Sequence, residues 1–233
     1  MIYSTATPAG TGPARRRVLV LGATGGTGRL IVAQALARGH DVHVLVRSPE
    51  KLEKLEKLEK ATGLEGATVT VGDARDERAL RNALRGRDAV VSALGTPASP
   101  LREVTALSES TRALVGAMRA EGVKRLVCIT GMGAGDSVGH GGFFFDRVIF
   151  PALLKKVYAD KNRQEALVRQ SGLDWVLVRP SVLNDKASGP VVRAFTDLSG
   201  FHGGTIARAD AASFVLDQLS SDAWLHRSPL VSW

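Results

Sequence analysis

Six short apolar runs, most of them rich in β-branched residues, mark the first 180 positions of the chain. They are RVLVLG (17–22), DVHVLVR (41–47), ATVTVGD (67–73), DAVVSALG (88–95), KRLVCIT (124–130) and DWVLVRP (174–180). Between and after them lie stretches in which apolar residues recur at helical spacing. GRLIVAQALARG (28–39) has a glycine stop, SESTRALVGAMRAEG (108–122) another, and a longer helix is predicted from about 146 to 171. RADAASFVLDQL (208–219) reads as an amphipathic helix near the C-terminus, with a capping role for Asp210. Apolar runs that lack strict alternation, alternating with helices, predict a parallel sheet covered on both faces. Right-handed crossovers then give a doubly wound α/β fold. The segment EKLEKLEKLEK (50–60) places Glu50, Glu53 and Glu56 four residues before Lys54, Lys57 and Lys60. Acid-first pairs at that spacing support a solvated crossover helix.

Composition narrows the class. The chain has 233 residues, 44% of them hydrophobic, enough for one domain with a sizeable core. Residues 1–14 are small and polar and read as a flexible tail, leaving 15–233 as a single domain. Basic residues number 31 and acidic residues 23, a net charge of +8. The basic residues are dispersed apart from Arg15–Arg17, and aromatics are only 5%, so a nucleic-acid partner is not expected. The lone cysteine, Cys128, lies in an apolar run and reads as a buried, inert thiol. Metal-type Cys/His spacing is absent, and no metal is expected. The most apolar late stretch is broken by Asp146, Arg147 and Pro151, too short and interrupted to span a bilayer. These features predict a soluble cytoplasmic protein, monomer or homodimer, with a small-molecule substrate.

The chemistry begins at the end of the first run. LGATGGTGR places Gly22, Gly25 and Gly28 in a G-x-x-G-x-x-G pattern between a strand and a helix. There the backbone turns sharply, approaches a pyrophosphate without side chains, and offers helix N-terminal amides to it. Gly22, Thr24, Gly25, Gly26, Thr27 and Gly28 are the expected cradle. A dinucleotide fold of the Rossmann type follows. An acidic residue at the end of the second strand would accept from ribose hydroxyls. Arg47 stands there instead, and a guanidinium can fork onto a 2′-phosphate, helped by Ser48 and Lys51. NADP(H) is therefore expected over NAD(H). Ligands in open sheets bind beyond the carboxyl ends of the strands. Asp73 and Ala74 are expected beside the adenine, and Leu94, Gly95 and Thr96 along the phosphates and ribose. Thr130 and Gly131 should face the nicotinamide, and Pro180, Ser181, Val182 and Leu183 should close over it.

Taken together, GATGGTGR, VLVRSPEKL, VGDARD, DAVVSALGT, GVKRLVCITGMG and SGLDWVLVRPSVL resemble the atypical short-chain dehydrogenases/reductases over residues 17 to 220. The likeness is to NmrA-like NAD(P)H-binding members and to flavin reductases of the biliverdin reductase B kind. It implies NADP(H) on a Rossmann sheet and hydride transfer to a small planar acceptor such as a flavin or quinone. Other members only sense the cofactor, which leaves a non-catalytic regulatory protein as the alternative. Lys161, Glu165 and Ser171 keep the spacing of the relatives, which makes Lys161 the family lysine. The family tyrosine position is then Val157, and Tyr158 is one residue out of register. By the flavin reductase pattern the serine after the fifth strand falls at Gly131, just past Thr130, and the histidine of its Pro-His loop at Ser181. Lys161, Tyr158 and Thr130 are the catalytic candidates on this reading. Lys161 would bond the nicotinamide ribose. Tyr158 is the available phenol, standing off the usual donor position. The stretch GMGAGDSVGHGGFFFDRVIF (131–150) is the expected substrate loop, with Phe143, Phe144 and Phe145 either a pocket floor or core. Residues 181–233 complete the substrate side.

Overall fold

The structure is a computed structural model, which describes residues 2–3, 15–47, 66–97, 103–143, 145–189 and 191–233. The helix expected over 50–60 lies outside the described residues, as do Ser48, Lys51 and Phe144. Eleven strands are present among those described. They are β1 (Ile2–Tyr3), β2 (Arg17–Leu21), β3 (Asp41–Val46), β4 (Thr68–Val71), β5 (Ala89–Ser92), β6 (Arg125–Ile129), β7 (Asp174–Pro180), β8 (Val182–Asn184), β9 (Val192–Phe195), β10 (Thr205–Ala207) and β11 (Leu230–Ser232). The helices are α1 (Gly26–Ala37), α2 (Glu77–Leu84), α3 (Ala106–Ala120), α4 (Lys155–Arg169) and α5 (Arg208–Asp217). A π-helical segment, Phe145–Leu154, runs directly into α4.

One nine-stranded sheet carries the fold, in the order β1-β9-β11-β7-β6-β5-β2-β3-β4. From β4 to β11 all neighbours are parallel; β9 runs antiparallel to both β11 and β1. The order β4-β3-β2-β5-β6-β7 is the doubly wound arrangement, reversing direction between β2 and β5. Much of the C-terminal part joins this sheet through β9 and β11. Only β8 and β10 stand apart, as a two-stranded parallel pair.

Period-two geometry explains why the strands are apolar throughout. Val18 and Val20 of β2 face one core with Ile31 and Val32 of α1 and Phe214 and Val215 of α5. Leu19 and Leu21 face the other core, with Leu80 of α2, Leu114 and Met118 of α3 and Val168 of α4. Each such side chain gains about 1.5–3 kcal/mol on burial, which a polar residue on either face would forfeit. Cys128 packs in the second core, and burial pushes its thiol up to about 12.

The helix α2 was not predicted from the sequence, and α3 begins two residues before the expected Ser108. Asp76 caps α2, accepting from the backbone N–H of Arg78 at 2.9 Å. The start of α3 is capped from α4: the fully buried Asp160 carboxylate accepts from Leu107 N–H at 2.8 Å and Ser108 N–H at 3.3 Å. This fixes α3 against α4 at the edge of the ligand side.

Candidate active site

In the turn after β2, two glycines leave no room for a side chain. Gly22 has φ +83°, and a Cβ there would lie 2.4 Å from the Ala93 carbonyl oxygen after β5. A Cβ on Gly28 would lie 2.0 Å from the Gly22 carbonyl oxygen, so α1 packs hard beneath the turn. Gly25 precedes α1 with no side-chain cap, and the first turn holds no acidic residue. Its free amides and the positive end of the helix dipole are left for an anion.

A cleft of about 590 Å³ opens over this turn, at the reversal between β2 and β5. Gly22, Thr24, Gly25, Arg47, Asp73, Ala74, Leu94, Gly95 and Thr96, all expected from the sequence, line it. Gly26, Thr27 and Gly28 lie outside its lining, where the turn continues into α1. Arg75 and the α3 residues Ala106, Leu107 and Ser110 also line the cleft and were missed. Arg75 folds back on Asp73, with Nη2 2.7 Å from Oδ2 and the backbone N–H 2.9 Å from Oδ1. This hydrogen bonding holds the Asp73 carboxyl below its usual range against the opposing effect of burial. A basic residue two positions after Asp73 was the available signal. The cleft thus joins a glycine-rich turn to the guanidinium groups of Arg47 and Arg75.

One strand over, at the end of β6, Thr130, Gly131, Tyr158 and Lys161 meet. Gly131 has φ +147°, and a Cβ there would lie 3.2 Å from Lys161 Nζ and 3.5 Å from Tyr158 Oη. Both side chains come from α4 and arrive over the same spot. The Lys161 ammonium donates to the Thr130 carbonyl and stands 5.2 Å from the centre of the Tyr158 ring. Burial lowers its pKa to about 8, against the raising influence of Cys128 and Glu165. Tyr158 Oη donates to the Met132 carbonyl at 2.8 Å, and burial raises the phenol to about 12. Val157, at the resemblance's tyrosine position, is buried.

Behind this spot lies a buried ion pair. Glu165 and Arg179 are 0% and 1% exposed, joined at 2.9 Å (Nε to Oε1) and 2.7 Å (Nη2 to Oε2). Thr130 donates its hydroxyl to Glu165 Oε1 at 2.8 Å, so that hydroxyl points into the network rather than outward. Asp136 of the expected substrate loop also pairs with Arg179, and Arg169 reaches Glu165 Oε2 at 3.0 Å. Lys161 is thus bonded to a carbonyl, and Glu165 is engaged by two arginines.

Ser181 is buried, and its hydroxyl donates to Ser232 Oγ at 3.0 Å inside the sheet; Val182 is exposed and begins β8 with Leu183. Pro180 ends β7, where its carbonyl accepts from Met132 N–H at 2.9 Å. None of 180–183 lines the cleft. In the substrate loop, His140 Nδ1 lies 2.9 Å from the Phe201 carbonyl, and its ring stacks with that of His202. Phe143 is 81% exposed, so it does not pack into the core. Among the described residues no group of three or more His, Cys, Asp or Glu could hold a metal, and no helix is long and apolar enough to cross a membrane.

Known proteins share both the fold and the sequence frame. ChuY, an anaerobillin reductase from Escherichia coli O157:H7, superposes with a TM-score of 0.75 at 22% identity, over 92% of this chain and 96% of that one. A short-chain dehydrogenase/reductase from Veillonella parvula, solved in complex with NADP, gives 0.71 at 15% identity, over 93% and 94%. In sequence, a (4-alkanoyl-5-oxo-2,5-dihydrofuran-3-yl)methyl phosphate reductase of Streptomyces griseus is 33% identical over 163 residues, 70% of this chain but only 46% of that protein. The uncharacterised sugar epimerase YhfK of Bacillus subtilis is 27% identical over 206 residues, 87% of each chain. The profile of a family described as NAD(P)H-binding matches residues 22–222, spanning the glycine turn, the cleft and the Gly131 cluster. With that match over most of its length, the chain belongs to the NAD(P)H-binding family.

Proposed function

We propose that the protein is an NADP(H)-dependent reductase that delivers hydride to a small planar acceptor, a flavin, a quinone or a similar conjugated carbonyl compound. The observation that carries this reading is the meeting of Lys161 and Tyr158 over Gly131, one strand beyond a cleft shaped for a dinucleotide. Gly22, Thr24 and Gly25 would hold the phosphates. Arg47 and Arg75 at the rim would take the 2′-phosphate, a dianion that favours guanidinium over carboxylate. Bound NADPH would supply the hydride, and the protein's contribution is then orientation and exclusion of water.

The chain's own residues accomplish that in definite ways. Lys161, protonated below about pH 8, places positive charge at the end of β6 and has hydrogens left for a ribose hydroxyl. The missing side chain of Gly131 leaves the space in which a flat ring can approach both groups. Tyr158 keeps its proton throughout the physiological range and donates a hydrogen bond with it to the Met132 carbonyl. Protons for the acceptor therefore come from solvent. The relatives named as reductases support this class of reaction.

A second reading, a cofactor sensor without turnover, is favoured by one fact: the hydroxyls of Thr130 and Tyr158 are both already committed. The loss of reduced-nicotinamide absorbance, followed with flavins, quinones and aldehydes as acceptors, separates the two. Turnover with any of them establishes the reductase. Tight NADPH binding with no turnover across the panel leaves the sensor.

A further inference from the structure

Gly26, the first residue of α1, is covered by a side chain from far along the sequence. A Cβ on Gly26 would lie 3.0 Å from Nε and 3.2 Å from Cδ of Arg208. The small parallel pair brings that arginine there. In its register Ala207 of β10 stands opposite Asn184 of β8, so the next residues, Arg208 and Asp185, leave the two strands side by side. Arg208 Nη1 lies 2.9 Å from Asp185 Oδ2, and the side chains are 27% and 71% exposed. The cation is sheltered while its partner carboxylate is largely in water.

This placement is unusual electrostatically. A guanidinium rests against the N-terminal end of α1, which carries the positive end of a helix dipole, and α1 has no side-chain cap and no acid in its first turn. Arg208 itself opens α5, a second helix N-terminus, with no side-chain cap at Ala207. Of the two helix ends, α5 has Asp210 in its first turn, held by Gly189 N–H and Trp233 Nε1, and Arg208 has the exposed Asp185; the end of α1 has no carboxylate of its own. An anion at the end of α1 would lie beside the guanidinium that covers Gly26, and the cleft lining reaches the adjoining residue, Gly25.

We infer that Arg208 is a cofactor-binding residue: its guanidinium takes the pyrophosphate of the dinucleotide from the C-terminal side of the turn, in competition with Asp185. The inference rests on the dinucleotide reading of the cleft above. It separates the labour of the arginines, since Arg47 and Arg75 would read the 2′-phosphate and Arg208 the pyrophosphate common to NADPH and NADH.

Titration calorimetry on the full chain tests this with three probes. R208Q is expected to weaken NADPH and NADH alike, by about tenfold, the scale of one charge-assisted hydrogen bond in a partly exposed site. Adenosine 2′,5′-bisphosphate has no pyrophosphate, and its affinity should stay within about twofold of wild type. Parallel losses for all three probes, or affinities for NADPH and NADH within about twofold of wild type, would overturn the assignment. If R208Q does not fold, D185N decides. Removing the competing carboxylate should tighten NADPH about two- to fivefold, and unchanged or weaker binding refutes the role. Failure of wild type to bind any of the probes would instead refute the dinucleotide reading itself.

Discussion

Tyr158 and Lys161 sit three residues apart on α4, yet their polar atoms converge on one glycine of β6's end, Gly131. The one-residue shift from the position the resemblance implies is partly undone by the helix, because third and fourth neighbours share a face. What the shift changes is the phenol's partner, the Met132 carbonyl.

Tyr158→Phe should therefore lower kcat by less than about tenfold, as expected when the proton comes from water. A fall of about 10²-fold or more, the usual scale for a lost general acid, would restore the phenol to that role.

The ammonium of Lys161 gives a pH signature. Its pKa is lowered by burial to about 8, so the charge that would hold the cofactor is present below that pH and lost above it. NADPH affinity should decline as pH rises through about 8. Lys161→Arg should move the decline to much higher pH, and Lys161→Met should abolish it. The same shift bears on stability with a definite sign. Between about 8 and the ordinary 10.5 the unfolded chain holds this proton more firmly, so the lysine's contribution becomes more favourable to folding as pH rises. An affinity profile flat from neutrality to pH ~10 would remove Lys161 from the site.

Arg47→Asp should weaken NADPH by about 1.5–3 kcal/mol, the scale of a hydrogen bond to a charged group, and spare NADH. Arg75→Ala should do the same more weakly, since that guanidinium is half exposed and already holds Asp73. Equal losses for both nucleotides would dissociate these arginines from the 2′-phosphate.

The Glu165–Arg179 pair predicts a stability effect. Arg179→Met strips a buried carboxylate of its best partner, leaving Thr130 and Arg169. Breaking such a pair costs about 3–5 kcal/mol, readable as a lower urea midpoint. The double variant Arg179→Met/Glu165→Leu should recover part of the loss. A single-variant cost under ~1 kcal/mol would show that the pair is not buried as described.

Cys128 supplies an independent check on the core. Buried and pushed up to about 12, its thiol should ignore alkylating reagents at neutral pH until denaturant is added. Rapid modification of the native protein would contradict the packing of β6 against α3 and α4.

The sheet was legible because its strands are marked twice, by apolar runs and by glycine or polar stops. All six runs from Arg17 to Pro180 became parallel strands at the expected places. The short strands after Pro180 were not legible: Val182–Asn184 and Thr205–Ala207 hold three residues each, too few for a period to show. The glycine turn and Arg47 were readable because local sequence alone dictates their geometry. Arg179 and Arg208 were not, since their partners come from folding rather than spacing: Arg179 meets Glu165 across α4 and β7, and Arg208 meets Gly26 across most of the chain; Arg75 was missed although its partner Asp73 lies two residues before it. The commitment of Thr130's hydroxyl to Glu165 was hidden for the same reason.

The lining of the cleft comes wholly from positions 22–110, whereas the residues gathered about Gly131 come from 130–179. On the proposed reading, substitutions around Gly131 would change which acceptor is taken, while most of the nucleotide's contacts, Lys161 and Arg208 apart, stay with the upstream lining.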